Sequence, residues 1–134
     1  MNKNEVGKVM LRVVLGIIFF VHGLSKFQGG INNTAGFFDS IGIPGFMAYV
    51  VALIELIGGI ALILGIGTRI VSVLFAIIML GAIFSLKLPA GLLGNGQMAG
   101  YELELVLLVI SIYFVIDNKS ILAFDNKIFR SKAD

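Results

Sequence analysis

The chain has 134 residues, 58% of them hydrophobic and only 13% charged, with a mean hydropathy of +1.03, whereas soluble domains carry about 45–50% apolar and about 25% charged residues. An ordinary water-soluble domain is excluded, because such a chain would expose large apolar patches to water. With no cysteine, disulfides, thiolate metal sites, iron–sulfur clusters and thiol relays are excluded too, and the net charge of +2 comes from basic residues scattered at the ends of apolar runs, which points to membrane orientation rather than to nucleic acid.

In chain order, the first apolar run covers about residues 9–27 and is long enough to cross a hydrocarbon core as a helix. Lys3 and Lys8 ahead of it resemble the start of a secretory leader, but His22 is an unfavourable neighbour for cleavage and the further spans need no cleaved leader. A connection follows, "QGGINNTAGFFDSIGIPG", rich in Gly and Asn and closed by Pro44, which reads as turns with aromatic residues at the membrane surface. The second span covers about 46–66. The short "GIGTR" then forces an antiparallel hairpin with the third span, about 70–86. A glycine-rich loop, "KLPAGLLGNGQMAG", could dip into the interface before the fourth span, about 101–116, and a basic tail occupies 117–134.

These runs lack the strict alternation that a membrane barrel needs, and no internal repeat is apparent. The expected fold is all-α, a single transmembrane domain over 1–134 built as a four-helix bundle. Lys3, Lys8, Arg69, Lys119, Lys127, Arg130 and Lys132 fall on the side of the termini, and Lys26 and Lys87 on the other. By the positive-inside rule both termini are expected in the cytoplasm.

Charges inside the spans carry the functional signal, since each costs roughly 2.5–3.5 kcal/mol near the membrane centre and needs a partner or a path to the interface. His22 and Lys26 lie four residues apart on one face in the outer half of span one, and Glu55 lies near the middle of span two. Glu102 and Glu104 lie at the outer end of span four, about 200° apart around the helix, so one of them faces headgroups or water. A cluster of His22, Lys26, Glu55 and Glu102 in the outer half of the bundle is expected. Against it stand plainer readings: a protonated Glu55 bonded to a neighbour, a packing role for His22, and a Lys26 that snorkels outward.

Arg12 shares a face with Lys26 but lies about 21 Å away along the axis, so it groups with Arg69 and Asp117 at the inner surface. Arg12, Arg69, Lys87 and Asp117 are expected to set depth and orientation. Gly16 and Gly23 on span one, and Gly58 and Gly59 on span two, suit close helix packing. Phe19, Phe20 and Phe27, with Phe37, Phe38 and Phe46, either line an apolar slot or face lipid. One histidine without cysteine gives no metal site, and neither a phosphate loop nor a dinucleotide fingerprint is present.

The ordered segments "RVVLGIIFFVHGLSKF", "FFDSIGIPGF", "VALIELIGGIALILGIGTR" and "GYELELVLLV", about residues 11–117, resemble the DoxX family of small four-helix membrane proteins. The carriers run from Arg12, His22 and Lys26 through Phe38, Pro44, Glu55, Gly58, Gly59 and Arg69 to Tyr101 and Glu102. The resemblance implies a quinone-linked redox function, as in a subunit of a thiosulfate:quinone oxidoreductase, or resistance to catechols, quinones and oxidative stress. The absence of cysteine leaves no place for a persulfide on this chain.

On this basis the expected protein is an oxidoreductase component of the cell membrane. His22 and Glu55 are the expected catalytic residues, exchanging protons with ring oxygens. Lys26, Glu102 and Tyr101 are the expected substrate-binding residues, Lys26 favouring an anionic oxygen and Glu102 holding Lys26 or His22. Arg12, Arg69, Gly58 and Gly59 are structural. No covalently bound cofactor is expected, a quinone serving as substrate or cofactor. The expected partners are the lipid bilayer, a soluble or membrane redox protein that exchanges electrons, and a second copy of the chain. Two alternatives stay open: a small proton-coupled transporter or exporter, and a non-catalytic anchor subunit that holds a partner through the tail "NKIFRSKAD".

Overall fold

A computed structural model of the chain describes residues 2–96 and 99–117. The basic tail beyond Asp117 lies outside the described residues. Every named element is helical, and among the described residues extended pairing is limited to one isolated bridge between Gly94 and Ala99.

Helix α1 spans Lys3–Gln28. It starts where Asn2 and Glu5 cap each other: the Asn2 Oδ1 accepts from the Glu5 backbone N–H at 2.9 Å, and the Asn2 N–H donates to the Glu5 carboxylate at 3.2 Å. This reciprocal box satisfies two of the orphan donors at a helix start. Helix α2 spans Ile31–Ser40, in the stretch expected to be turns. Its periodicity explains it: Ile31, Thr34, Ala35 and Phe38 are half-buried on one side, while Asn32, Asn33, Gly36, Phe37, Asp39 and Ser40 are exposed. The glycines and asparagines of this stretch sit on its outer face or at its ends, and Gly30, at φ +94°, makes the reversal out of α1.

Helix α3 spans Phe46–Leu64 and stops at Gly65, whose φ of +77° lets the Ile66 N–H return to the Ala61 carbonyl at 2.8 Å. Helix α4 spans Thr68–Ala82 and runs on into a π turn, Ile83–Lys87, and a short 3-10 turn, Leu88–Ala90. Helix α5 spans Glu102–Ile116.

The chain is organised as two helix pairs, α1 on α3 and α4 on α5, joined by contacts of α3 with α4 and of α1 with α5. Gly16 lies against Gly59, and Gly23 against Ala52 and Leu56, so α1 and α3 run antiparallel. The approach is backbone to backbone. A Cβ on Gly59 would sit 2.6 Å from the Gly16 carbonyl oxygen and 2.6 Å from the Phe20 nitrogen, and one on Gly23 would sit 2.7 Å from the Leu56 nitrogen. Lipid is as apolar as leucine, so close van der Waals contact at small residues is what holds such helices together. Gly58 faces the other way, against the Phe75 ring of α4, which stacks on Phe19 with ring centroids 3.7 Å apart. Leu15, Leu62, Met79, Ile83, Leu107, Leu108 and Phe114 are buried in the same core cluster.

The outer surface is apolar, with Ile57, Ile70 and Ile116 each more than half exposed, as lipid-facing side chains are. Among the described residues three helical stretches are long and apolar enough to cross a membrane: Lys3–Gln28, Phe46–Leu64 and Thr68–Ser85. The 15 described residues of α5 are fewer than the roughly 20 of a typical span.

Candidate functional site

The polar residues that α1 carries near its C-terminus meet the middle of α3 because the two helices are antiparallel and touch at glycine. That close approach lets Lys26 reach across: its Nζ donates to the Glu55 Oε1 at 2.5 Å, and Glu55 is 1% exposed. His22, one turn before Lys26, places its Nδ1 3.0 Å from the Ile18 carbonyl oxygen. A carbonyl only accepts, so Nδ1 carries the proton and Nε2 of the neutral ring is an acceptor. Glu55 is thus hydrogen-bonded to Lys26 rather than to His22.

A second ion pair lies on the other helix pair. The π turn carries Lys87 to the start of α5, where its Nζ donates to the Glu104 Oε1 at 2.7 Å. Glu104 is buried, and its second oxygen, Oε2, has no hydrogen-bond partner among the described residues.

Both carboxylates line one cavity of about 360 Å³, with His22, Lys26 and Ser85 as its other polar lining residues. The rest of the wall is apolar: Phe19 from α1, Met47 and Val51 from α3, Ile77 and Met79 from α4, and Leu107 from α5. Helix α2 closes a further side with Phe38 and, from the turn after it, Ile41 and Ile43. That segment is tied to α3 where the Gly45 N–H donates to Asp39 Oδ1 at 2.8 Å and the Tyr49 hydroxyl bonds Asn32. The size lies at the lower end of the 300–1,000 Å³ typical of small-molecule sites, and a mostly apolar wall with a few convergent polar groups is their usual make-up. Such a site can hold a flat apolar ring and exchange protons with its polar substituents.

Of the residues expected at this site, His22, Lys26 and Glu55 come together. Glu102 does not join them. It is exposed, and Glu104 takes the inward position, because two residues so spaced on a helix point to nearly opposite sides. Tyr101 packs half-buried against the hydrophobic core and is not among the residues that line the cavity. Lys87, expected only to set depth, is the partner of Glu104. The signal for that pair was a lysine ending one span and a carboxylate opening the next at the same membrane surface.

At the opposite end of the molecule Lys8 pairs with Asp117 at 2.7 Å, and the Arg69 Nε donates to the Val115 carbonyl at 3.0 Å. Arg12, grouped from the sequence with Arg69 and Asp117, is buried at 2% exposure, because its position on α1 faces the other helices. Among the described residues no group of three His, Cys, Asp or Glu side chains is placed to hold a metal ion.

The DoxX family model matches residues 7–88. Over 133 residues the chain is 51% identical to a Bacillus subtilis (strain 168) protein named "Putative oxidoreductase CatD", covering 98% of this chain and 95% of that protein. It is 35% identical over 92 residues to an uncharacterized membrane protein of Mycobacterium tuberculosis (64% of this chain, 56% of that one). It is also 35% identical over 66 residues to the inner membrane protein YqjF of Escherichia coli (49% and 50%). No solved structure matches the chain.

Proposed function

The chain belongs to the DoxX family of membrane proteins, and we propose that it is a membrane oxidoreductase component that binds a quinone or catechol-like ring in the cavity lined by His22, Lys26 and Glu55. The observation that carries this reading is the confluence, on one mostly apolar cavity, of an imidazole with an acceptor nitrogen and a buried carboxylate tied to an ammonium. Interconversion of a dihydroxy ring and its quinone moves two protons and two electrons. His22 and Glu55 exchange the protons with the ring oxygens. Lys26 has ammonium hydrogens beyond the one given to Glu55, and these favour an oxygen carrying negative charge. The electrons pass to or from a partner redox protein or a second small molecule.

In this reading α5 makes the fourth crossing of a multi-pass bundle in the cell membrane, both termini are cytoplasmic, and the protein protects the cell against quinone or oxidative stress. The similarity to the B. subtilis protein named as an oxidoreductase supports the reaction class. The test is a pull-down from gently solubilised membranes followed by quinone reduction by what is recovered. Wild-type preparations should reduce quinone and those with His22→Gln or Glu55→Gln should not; full activity in both variants would overturn the reading.

A further inference from the structure

The two helix pairs repeat one design. After two reversals α4 runs in the same direction as α1, and α5 in the same direction as α3. Along α1 the order Ile17, Ile18, Phe19, His22, Ser25, Lys26 has its counterpart in α4 and its extension as Ile77, Ile78, Met79, Ala82, Ser85, Lys87. The match is in step up to Ser85 and then skips Leu86. That extra residue falls in the π turn Ile83–Lys87, whose wider coil takes in one more residue per turn. The lysine at the end of each first helix then binds a glutamate on the second: Lys26 with Glu55, Lys87 with Glu104. Counterpart residues also line the cavity together, Phe19 with Met79, His22 with Ala82, and Glu55 with Glu104. Membrane bundles built from two parallel repeats place a ligand site between them.

We infer that the Lys87–Glu104 pair is the second end of a two-ended site, so that the cavity takes a flat apolar ring bearing an oxygen at each of two opposite ends, one end to each lysine–glutamate pair. This rests on the ring-binding reading above and specifies its ligand. One observation points to a ligand at the second end. Glu104 lines the cavity, and its Oε2 is buried with its hydrogen-bonding capacity unused among the described residues, so a hydroxyl donor satisfies it. The ends also differ: the first has His22, and the second has Ala82 in the corresponding place. The first end exchanges protons and the second positions the ring.

The test is calorimetric titration of the full chain in lipid nanodiscs with para-hydroquinone, catechol and phenol. Para-hydroquinone should bind about tenfold or more tighter than phenol or catechol, the gain expected from one further hydrogen bond to a charged group. Glu104→Gln should bring para-hydroquinone to the level of phenol and leave phenol unchanged. The paired change Lys87→Met/Glu104→Met, which leaves no unpaired charge, should do the same, and melting of each variant reports its folding. Unchanged para-hydroquinone affinity in a folded Glu104 variant overturns the second end. Equal affinity for catechol and para-hydroquinone does so too. If His22→Gln weakens all three probes while Glu104→Gln weakens none, the ring-binding reading stands and the two-ended site falls. Failure of all three to bind the wild type overturns both.

Discussion

Lys26 and Glu55, 29 positions apart in the chain, meet at 2.5 Å across the seam where α1 and α3 touch at glycine. The pair joins the packing of the bundle to its chemistry, since the same close approach that needs Gly16, Gly23 and Gly59 brings an ammonium to a buried carboxylate.

Removing one partner of such a pair leaves the other uncompensated, at a cost of about 3–5 kcal/mol, whereas removing both is far milder. Lys26→Met should therefore lower the melting temperature in detergent, and Lys26→Met/Glu55→Met should recover most of the loss. A double variant as unstable as the single one would show that the pair does not couple in solution.

Steric contact at the seam gives a second prediction. Gly59→Leu drives a side chain into the Gly16 carbonyl and the Phe20 backbone, and backbone has no rotamer with which to yield. Folded yield should fall further than for Leu62→Ala, a buried truncation worth about 2–5 kcal/mol. Gly36→Ala is the control. A Cβ there meets nothing within 4 Å on the exposed face of α2, and the change should be neutral or slightly stabilising.

Groups that act as a unit lose function non-additively. His22→Gln and Glu55→Gln should each abolish quinone-dependent activity or stress protection, and the double variant should be no worse than either. Additive losses, read from rates under saturating quinone, would separate the two residues into independent roles.

Topology is open to direct measurement. A reporter fused at the C-terminus should signal from the cytoplasm, and one inserted at Asn32–Asn33, on the exposed side of α2, should not. Cytoplasmic signal from the α2 insertion would reverse the orientation proposed here.

The sequence by itself determined where the long apolar helices lie, that thiol chemistry has no place in the chain, and that Glu55 needs a partner. Each follows from composition or local spacing, because a run of apolar residues meets lipid in the same way whatever its neighbours do. Lys26 and His22 were legible for the same reason, as polar groups one turn apart on one face. Only the tertiary structure decided which of Glu102 and Glu104 points inward, since the phase of a helix about its own axis is settled by the helix it packs against. Arg12 is buried on the same ground. Helix α2 escaped notice because its glycines and asparagines read as turns until one side of it is seen resting on α3. In the sequence Leu86 displaces Lys87 by one residue from the place that Lys26 holds in the first pair. A π turn absorbs that displacement in the fold, and Lys87 returns to the position opposite Glu104.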